Sequence, residues 1–288
     1  MSNNSNQNGG NAWLASMVGE AAVETVGRAM EAAGGIDPDA VARVRSILEA
    51  DLEGAILDVL DTMSSPTIAL QPILHVEGGT AIGYEALARF GGGTATADAF
   101  RRAAERNMHV EIELAALTAA LERLVELPPT AFLGVNVSAE ALLDSRVTEA
   151  LIGAQTGRLV VELTKQSDLD DVSSLVGAFR ALQANGAVIC VDGAGTGFFD
   201  ATRILELGPE IIKISRSLIA RCDTDDGARE QIAAMVSLGR RLGALSIATG
   251  VERYEQHDVL QRIGVDAVQG HLFGEATTEL LASGLLSV

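Results

Sequence analysis

Apolar and polar positions follow one pattern before residue 65 and another after it. Residues 1–11 are almost entirely Ser, Asn, Gln and Gly, which is the composition of a disordered tail. Residues 12–64 then place apolar side chains three and four positions apart, the spacing of an amphipathic helix. Asp37-Pro38 marks the start of a second helix. The pattern predicts an N-terminal helical region over 12–64, built as a helical hairpin.

The apolar face of this hairpin leaves two interpretations open. In the second helix the face contains Val41, Val44, Ile47, Leu48 and Leu52. It either packs on its own partner helix and the following domain, or forms a surface for a homodimer or another protein partner.

From residue 65 onward, short strand-type runs alternate with amphipathic segments. The predicted strands are Thr67–Leu74, Ala81–Ala88, Ala131–Val137, Leu159–Leu163, Ala187–Val191, Ile211–Ile214, Leu245–Ala248 and Ala267–Leu272. The predicted helices are Ala97–Arg106, Ile112–Leu127, Ala139–Ile152, Val172–Asn185 and Gly227–Leu242. This α/β alternation over 65–288 predicts a (β/α)8 TIM-like barrel. The short link Glu77-Gly78-Gly79 predicts an antiparallel strand near its start.

Composition narrows the classes of function. The chain is 48% hydrophobic but only 3% aromatic, so aliphatic side chains must build its core. A formal net charge of -18 argues against a nucleic-acid polymer as partner, because phosphate contacts need clustered Lys and Arg. The two cysteines and four histidines show no metal-ligand spacing. With no signal peptide and no run of about 20 apolar residues, we expect a cytoplasmic protein without a membrane span.

Oxygen-bearing side chains stand on four different strand-type runs. They are Glu85, Asn136, Glu162 and Asp192. Each alone would be read as a solvated acid or a cap. Because the carboxyl ends of barrel strands meet at one mouth, the four together indicate a site for a hard divalent cation such as Mg²⁺, Mn²⁺ or Ca²⁺.

An ordered series of motifs surrounds these residues. The motifs are Gln71-Pro72-Ile73, Glu85-Ala86-Leu87 with Arg89, Asn136-Val137-Ser138, Glu162-Leu163-Thr164, Gly250-Val251-Glu252 and Gln269-Gly270. Over roughly residues 66–280 the chain resembles the EAL-domain family of cyclic di-GMP phosphodiesterases. Glu-Ala-Leu alone would carry no weight, whereas the whole series in order is specific.

The resemblance implies a role for each matched position. In the family, two metal ions bridge the scissile phosphodiester and activate a water. The positions matched to the first metal are Glu85, Asn136, Glu162 and Asp192. The positions matched to the ligand are Gln71, Leu87 and Arg89. Lys213 would position or activate the attacking water, and Gln269 would lie beside the metal and its water.

Three acidic positions of the family hold other residues in this chain. Gly193 stands where the family has an aspartate that binds the second metal, and Thr249 replaces a catalytic glutamate. Lys165 replaces a glutamate that anchors the loop of the second metal. Losing one transition-state electrostatic group costs roughly 10²- to 10³-fold in rate. The departures imply that the second metal site is lost, that at most one Mg²⁺ or Mn²⁺ binds, and that hydrolysis is weak or absent.

Function stays open among three interpretations. The leading one is a degenerate EAL-type domain that acts as a regulatory or protein-interaction module. An active phosphodiesterase is the second, since Glu252 or a water could replace the missing acid. A protein-binding module that ignores cyclic di-GMP is the third, because Glu275-Ala276 replaces the family's Arg-Pro pair and a glutamate there opposes a dianionic ligand.

Overall fold

The computed structural model describes residues 66–90, 95–154, 157–164, 172–195 and 199–280. They belong to one compact unit, which spans 65–90 and 95–288. The predicted tail over 1–11, the predicted helical region over 12–64 and Lys165 lie outside the described residues. The predictions made for them, including the protein-partner surface, stay predictions.

The described residues form eight strands and alternating helices. The strands are β1 (Thr67–His75), β2 (Ala81–Arg89), β3 (Phe132–Ser138), β4 (Leu159–Thr164), β5 (Val188–Ala194), β6 (Ile211–Ile214), β7 (Leu245–Thr249) and β8 (Ala267–Gln269). The helices are α1 (Thr96–Glu105), α2 (His109–Glu122), α3 (Ala139–Leu142), α4 (Ser145–Gly153), α5 (Val172–Ala184), α6 (Ala201–Leu207), α7 (Arg216–Ile219), α8 (Asp226–Leu242) and α9 (Tyr254–Ile263). A 3-10 helix, Arg123–Glu126, follows α2.

The strands close into a barrel in chain order, from β1 to β8. β1 runs antiparallel to both of its neighbours, β2 and β8, and the other neighbouring pairs are parallel. The predicted (β/α)8 barrel with an antiparallel strand near its start is therefore confirmed. Within the described residues, no helix is long and apolar enough to cross a membrane.

Alternation along the strands sorts the barrel interior into layers. One buried apolar cluster takes a residue from each of six strands: Ile73, Val160, Cys190, Ile211, Ile247 and Ala267. Side chains two positions apart on a strand share a face. The next inward-facing residues toward the mouth therefore form a second layer directly above this apolar one. Intervening residues, such as Val161 and Leu163, pack in the larger cluster that also contains residues of the surrounding helices.

Several element boundaries differ from the predictions. The helix predicted over Ala139–Ile152 is broken in two, because the Asp144 side chain accepts the Arg146 N–H and caps a new helix. β8 ends at Gln269 rather than Leu272, and Phe273 N–H turns back to the Gly270 carbonyl. Helices α6, α7 and α9 were not predicted, because their apolar stripes are short.

Candidate functional site

The second interior layer is polar and carries most of the predicted site. Its members lie two positions from the apolar layer: Gln71, Glu162, Asp192, Lys213, Thr249 and Gln269. Glu85 joins from β2, where it pairs with Gln71, and Asn136 joins from β3, where it pairs with Glu162. Glu85 lies four residues before the end of its strand rather than at the end. Because barrel strands are tilted, residues at different points along them reach the same level.

Glu85 is the centre of a hydrogen-bond network. Its Oε2 accepts Lys213 Nζ at 2.5 Å and Gln269 Nε2 at 2.8 Å. Its Oε1 accepts Asn136 Nδ2 at 2.8 Å. Gln269 Nε2 also donates to Gln71 Oε1 at 3.1 Å, and Gln71 in turn donates to the Gly274 carbonyl. Five strands and the segment after β8 are thus joined in one network around the Glu85 carboxylate.

Lys213 also donates to a second carboxylate, Glu162 Oε2, at 2.5 Å. Lys213 and Glu162 are each only 1% exposed, so the hydrogen bond between them is shielded from water. Glu162 crosses the backbone of Gly134, where an added Cβ would lie 2.1 Å from its Oε1. Glycine at position 134 is therefore required by the close approach of this side chain.

Burial and the Lys213 ammonium act in opposite directions on the pKa values of the three acids, Glu85, Glu162 and Asp192. Burial pushes the pKa of Glu85 upward, but Lys213 together with the donors Asn136 and Gln269 outweighs burial and leaves it lowered. Burial raises the pKa of Glu162 to about 8, with Lys213 opposing and Glu85 adding. Burial likewise raises the pKa of Asp192. Burial lowers the pKa of Lys213, but Glu162 and Glu85 outweigh it and hold the pKa well above its ordinary value.

Two neighbouring cavities divide the predicted residues between them. A cavity of about 170 Å³ at the barrel mouth is lined by Gln71, Glu85, Asp192, Lys213, Thr249, Glu252 and Gln269, among others. A more apolar cavity of about 320 Å³ is lined by Leu87, Arg89 and Asn136, together with Glu113 and residues of α1 and α2. The structure therefore brings the catalytic candidates together and places two of the three ligand candidates, Leu87 and Arg89, in the adjoining space.

The four predicted metal ligands suit a hard cation by donor type, since three carboxylates and an amide supply oxygen. Glu85 and Asp192 present their side chains to the mouth cavity, whereas Asn136 lines the adjoining cavity and Glu162 lies buried. Among the described residues, no three His, Cys, Asp or Glu side chains are close enough together to hold a metal ion. The four residues therefore suit a divalent cation by the chemistry of their oxygens alone.

Two of the three positions that depart from the family pattern, Gly193 and Thr249, lie among the described residues. Gly193 has a φ of 81° and open space around the position of an added Cβ. Thr249 donates its hydroxyl to the Ile214 carbonyl at 2.9 Å. Glu252 forms an ion pair with Arg216 at the rim. The acid considered as a replacement for the missing glutamate is therefore already bound to a cation.

Three residues that the sequence analysis did not name also border these cavities. Arg216 and His271 line the mouth. Glu113 lines the larger cavity and is 7% exposed. An acid in the apolar run Ile112-Glu113-Leu114 was the available signal, because a charged residue facing a core needs a specific partner.

Comparison with known proteins is decisive for the family. The model of the EAL domain matches residues 64–276. The chain belongs to the EAL domain family. This EAL domain is 28% identical over 222 residues to the Escherichia coli protein named "Probable cyclic di-GMP phosphodiesterase PdeG", covering 72% of this chain and 44% of that protein. The chain spans 28% and 44% of the length of two curated relatives that it matches.

Solved structures share the fold of this EAL domain. PaMucR phosphodiesterase in complex with c-di-GMP has a TM-score of 0.69 at 24% identity, covering 78% of this chain and 97% of that one. Klebsiella pneumoniae BlrP1 in a manganese/cy-diGMP complex has a TM-score of 0.68 at 19% identity, covering 84% and 71%. EAL domains of this architecture have therefore been seen with cyclic di-GMP and with a divalent metal.

Proposed function

We propose that this EAL domain is a degenerate member of its family, which acts as a cyclic di-GMP-related regulatory or protein-interaction module with weak or no hydrolysis. The observation that carries the proposal is the state of two positions at the mouth. Gly193 supplies no side-chain oxygen, and the Thr249 hydroxyl is turned to a backbone carbonyl. Both are positions at which the family pattern has an acid.

The remaining network supports binding better than cleavage. Lys213 is held between Glu85 and Glu162, and Gln269 is held between Glu85 and Gln71. Both Nε2 donors of Gln269 and two of the three donors of Lys213 are engaged in this way, and side chains held like this suit recognition of a ligand. General acid–base catalysis needs a group within hydrogen-bond reach of the attacking water, and one oxygen of Glu252, the candidate replacement, already accepts Arg216.

One Mg²⁺ or Mn²⁺ belongs to the proposal, held by Glu85 and Asp192 with Asn136 and Glu162 behind them. When bound, such an ion neutralises phosphate charge. Arg89, exposed at the larger cavity, would take a ligand phosphate, with Leu87 in the same cavity and Gln71 at the mouth. A cytoplasmic location and a protein partner or homodimer through the N-terminal helices complete the proposal.

Calorimetric titration with cyclic di-GMP, with and without Mn²⁺, tests the binding half. Micromolar binding that weakens at least about tenfold in Arg89→Ala is expected, because a charge-assisted contact to phosphate is lost. Arg102→Ala, an exposed arginine on α1, is the matched control. Absence of binding in the wild-type protein would favour the module that ignores the dinucleotide.

A further inference from the structure

Glu113 contacts the end of β3 from the middle of α2. Its Oε2 accepts the backbone N–H of Ser138, the last residue of β3, at 2.8 Å. Both residues are buried, with Glu113 at 7% exposure and Ser138 at 4%. A buried N–H without an acceptor is costly. The Glu113 carboxylate on α2 therefore satisfies the backbone N–H of Ser138 at the mouth end of β3.

Ser138 joins this strand to the next helix. Its Oγ accepts the N–H of Ala141 at 3.1 Å and caps α3. The Glu113 contact thus holds Ser138, where β3 ends and α3 begins. Losing the contact would free the last residues of β3 to shift.

Asn136 lies two positions earlier on β3 and shares the face of Ser138. Its Nδ2 donates to Glu85 Oε1, and Glu85 also accepts Lys213 and Gln269. A continuous series of contacts therefore leads from Glu113, through the end of β3, to the carboxylate at the centre of the polar layer.

We propose that Glu113 is a positioning residue for the mouth of the barrel: it holds the end of β3 so that Asn136 keeps Glu85 in its place. The role needs a hydrogen-bond acceptor of the right reach. One oxygen fulfils it, since in the described part of the chain Oε1 of Glu113 is buried without a hydrogen-bond partner.

Amide hydrogen exchange by NMR tests the proposal on three variants. Glu113→Gln keeps an acceptor of the same reach, so exchange at Ser138 should stay within about twofold of wild type. Glu113→Asp and Glu113→Ala lose the contact, and exchange at Ser138 should rise about tenfold. Glu122→Ala, exposed on the same helix, is the control. If Glu113→Ala does not fold, Glu113→Asp decides alone. The proposal would be overturned if Glu113→Gln and Glu113→Ala changed Ser138 exchange equally, or if Glu113→Asp left it unchanged.

A second readout rests on the proposed function. Cyclic di-GMP affinity should fall about tenfold in Glu113→Asp and be retained in Glu113→Gln, following the exchange data. Affinity lost in Glu113→Gln with unchanged Ser138 exchange would show a direct ligand contact and reject positioning. If the wild-type protein binds no dinucleotide, the proposed function fails, while the exchange experiment still decides the role of Glu113.

Discussion

Lys213 has almost no water around it, so its charge is balanced by the Glu85 carboxylate, and Glu162 accepts a second hydrogen bond from it. The ammonium is 1% exposed and lies 2.5 Å from an oxygen of each carboxylate. An ion pair of this kind is weak evidence for added stability, because desolvation offsets the attraction, but breaking it leaves a buried charge alone. The residue to which the family resemblance assigns chemistry therefore also has a structural role here.

Lys213→Met should destabilise the barrel by about 3–5 kcal/mol, because it removes the cation and leaves the buried Glu85 carboxylate without its counter-charge. Urea unfolding measures the change. Adding Glu85→Gln and Glu162→Gln to Lys213→Met should recover much of the loss, since the charges then vanish together. If the charge-neutral variant is no more stable than Lys213→Met, lost packing rather than charge is the cause.

Elements with clear periodicity were predictable, and short or broken ones were not. All eight strands, including the antiparallel β1, follow from apolar runs and the turn at Gly78-Gly79. Helices α6 and α7 have seven and four residues, too few to show a 3.6-residue stripe. The site residues could be placed on strands, but their partners could not. Neither the sharing of Lys213 by two acids nor the contact of Glu113 with Ser138 has a sequence signal, because both join distant segments.

Replacing glycine by alanine should have opposite effects on stability at Gly270 and Gly177. At Gly270, just after β8, an added Cβ would lie 2.1 Å from the Val251 carbonyl oxygen and 2.3 Å from its nitrogen. Gly270→Ala should therefore destabilise the protein by several kcal/mol, about 2–3 or more, through overpacking. At Gly177, exposed within α5, the space is open. Gly177→Ala should stabilise by about 0.5–1 kcal/mol. Thermal unfolding compares the two, and a neutral Gly270→Ala would contradict the close approach.

At the scale of the whole molecule, buried acids couple stability to pH. Burial raises the pKa of Glu162 to about 8 from 4.5, and raises those of Asp192 and Glu113. Between pH 4.5 and about 8, Glu162 in the folded protein holds a proton that the unfolded chain has released. Stability therefore falls as pH rises through this window. The lowered pKa of Glu85 acts in the opposite sense. Its contribution to stability is present at neutral pH and is lost as the pH falls through the acidic range.

Glu162→Gln should remove about one proton from the pH dependence of unfolding between pH 5 and 8. Urea unfolding at several pH values gives the slope, with the exposed Glu149→Gln as matched control. A wild-type stability that rises steadily across this range would contradict the assigned protonation of Glu162.

Hydrolysis of cyclic di-GMP with Mn²⁺ tests the central claim, measured side by side for the wild-type protein and the restored variant Lys165→Glu/Gly193→Asp/Thr249→Glu. We expect product from the wild type to stay near background. We expect the variant to gain about 10²-fold or more, because restored acids add transition-state electrostatics. Adding Glu85→Ala to the variant should abolish the gain. Robust turnover by the wild-type protein, lost in Glu85→Ala, would show that this EAL domain is an active phosphodiesterase and that its mouth needs neither missing acid.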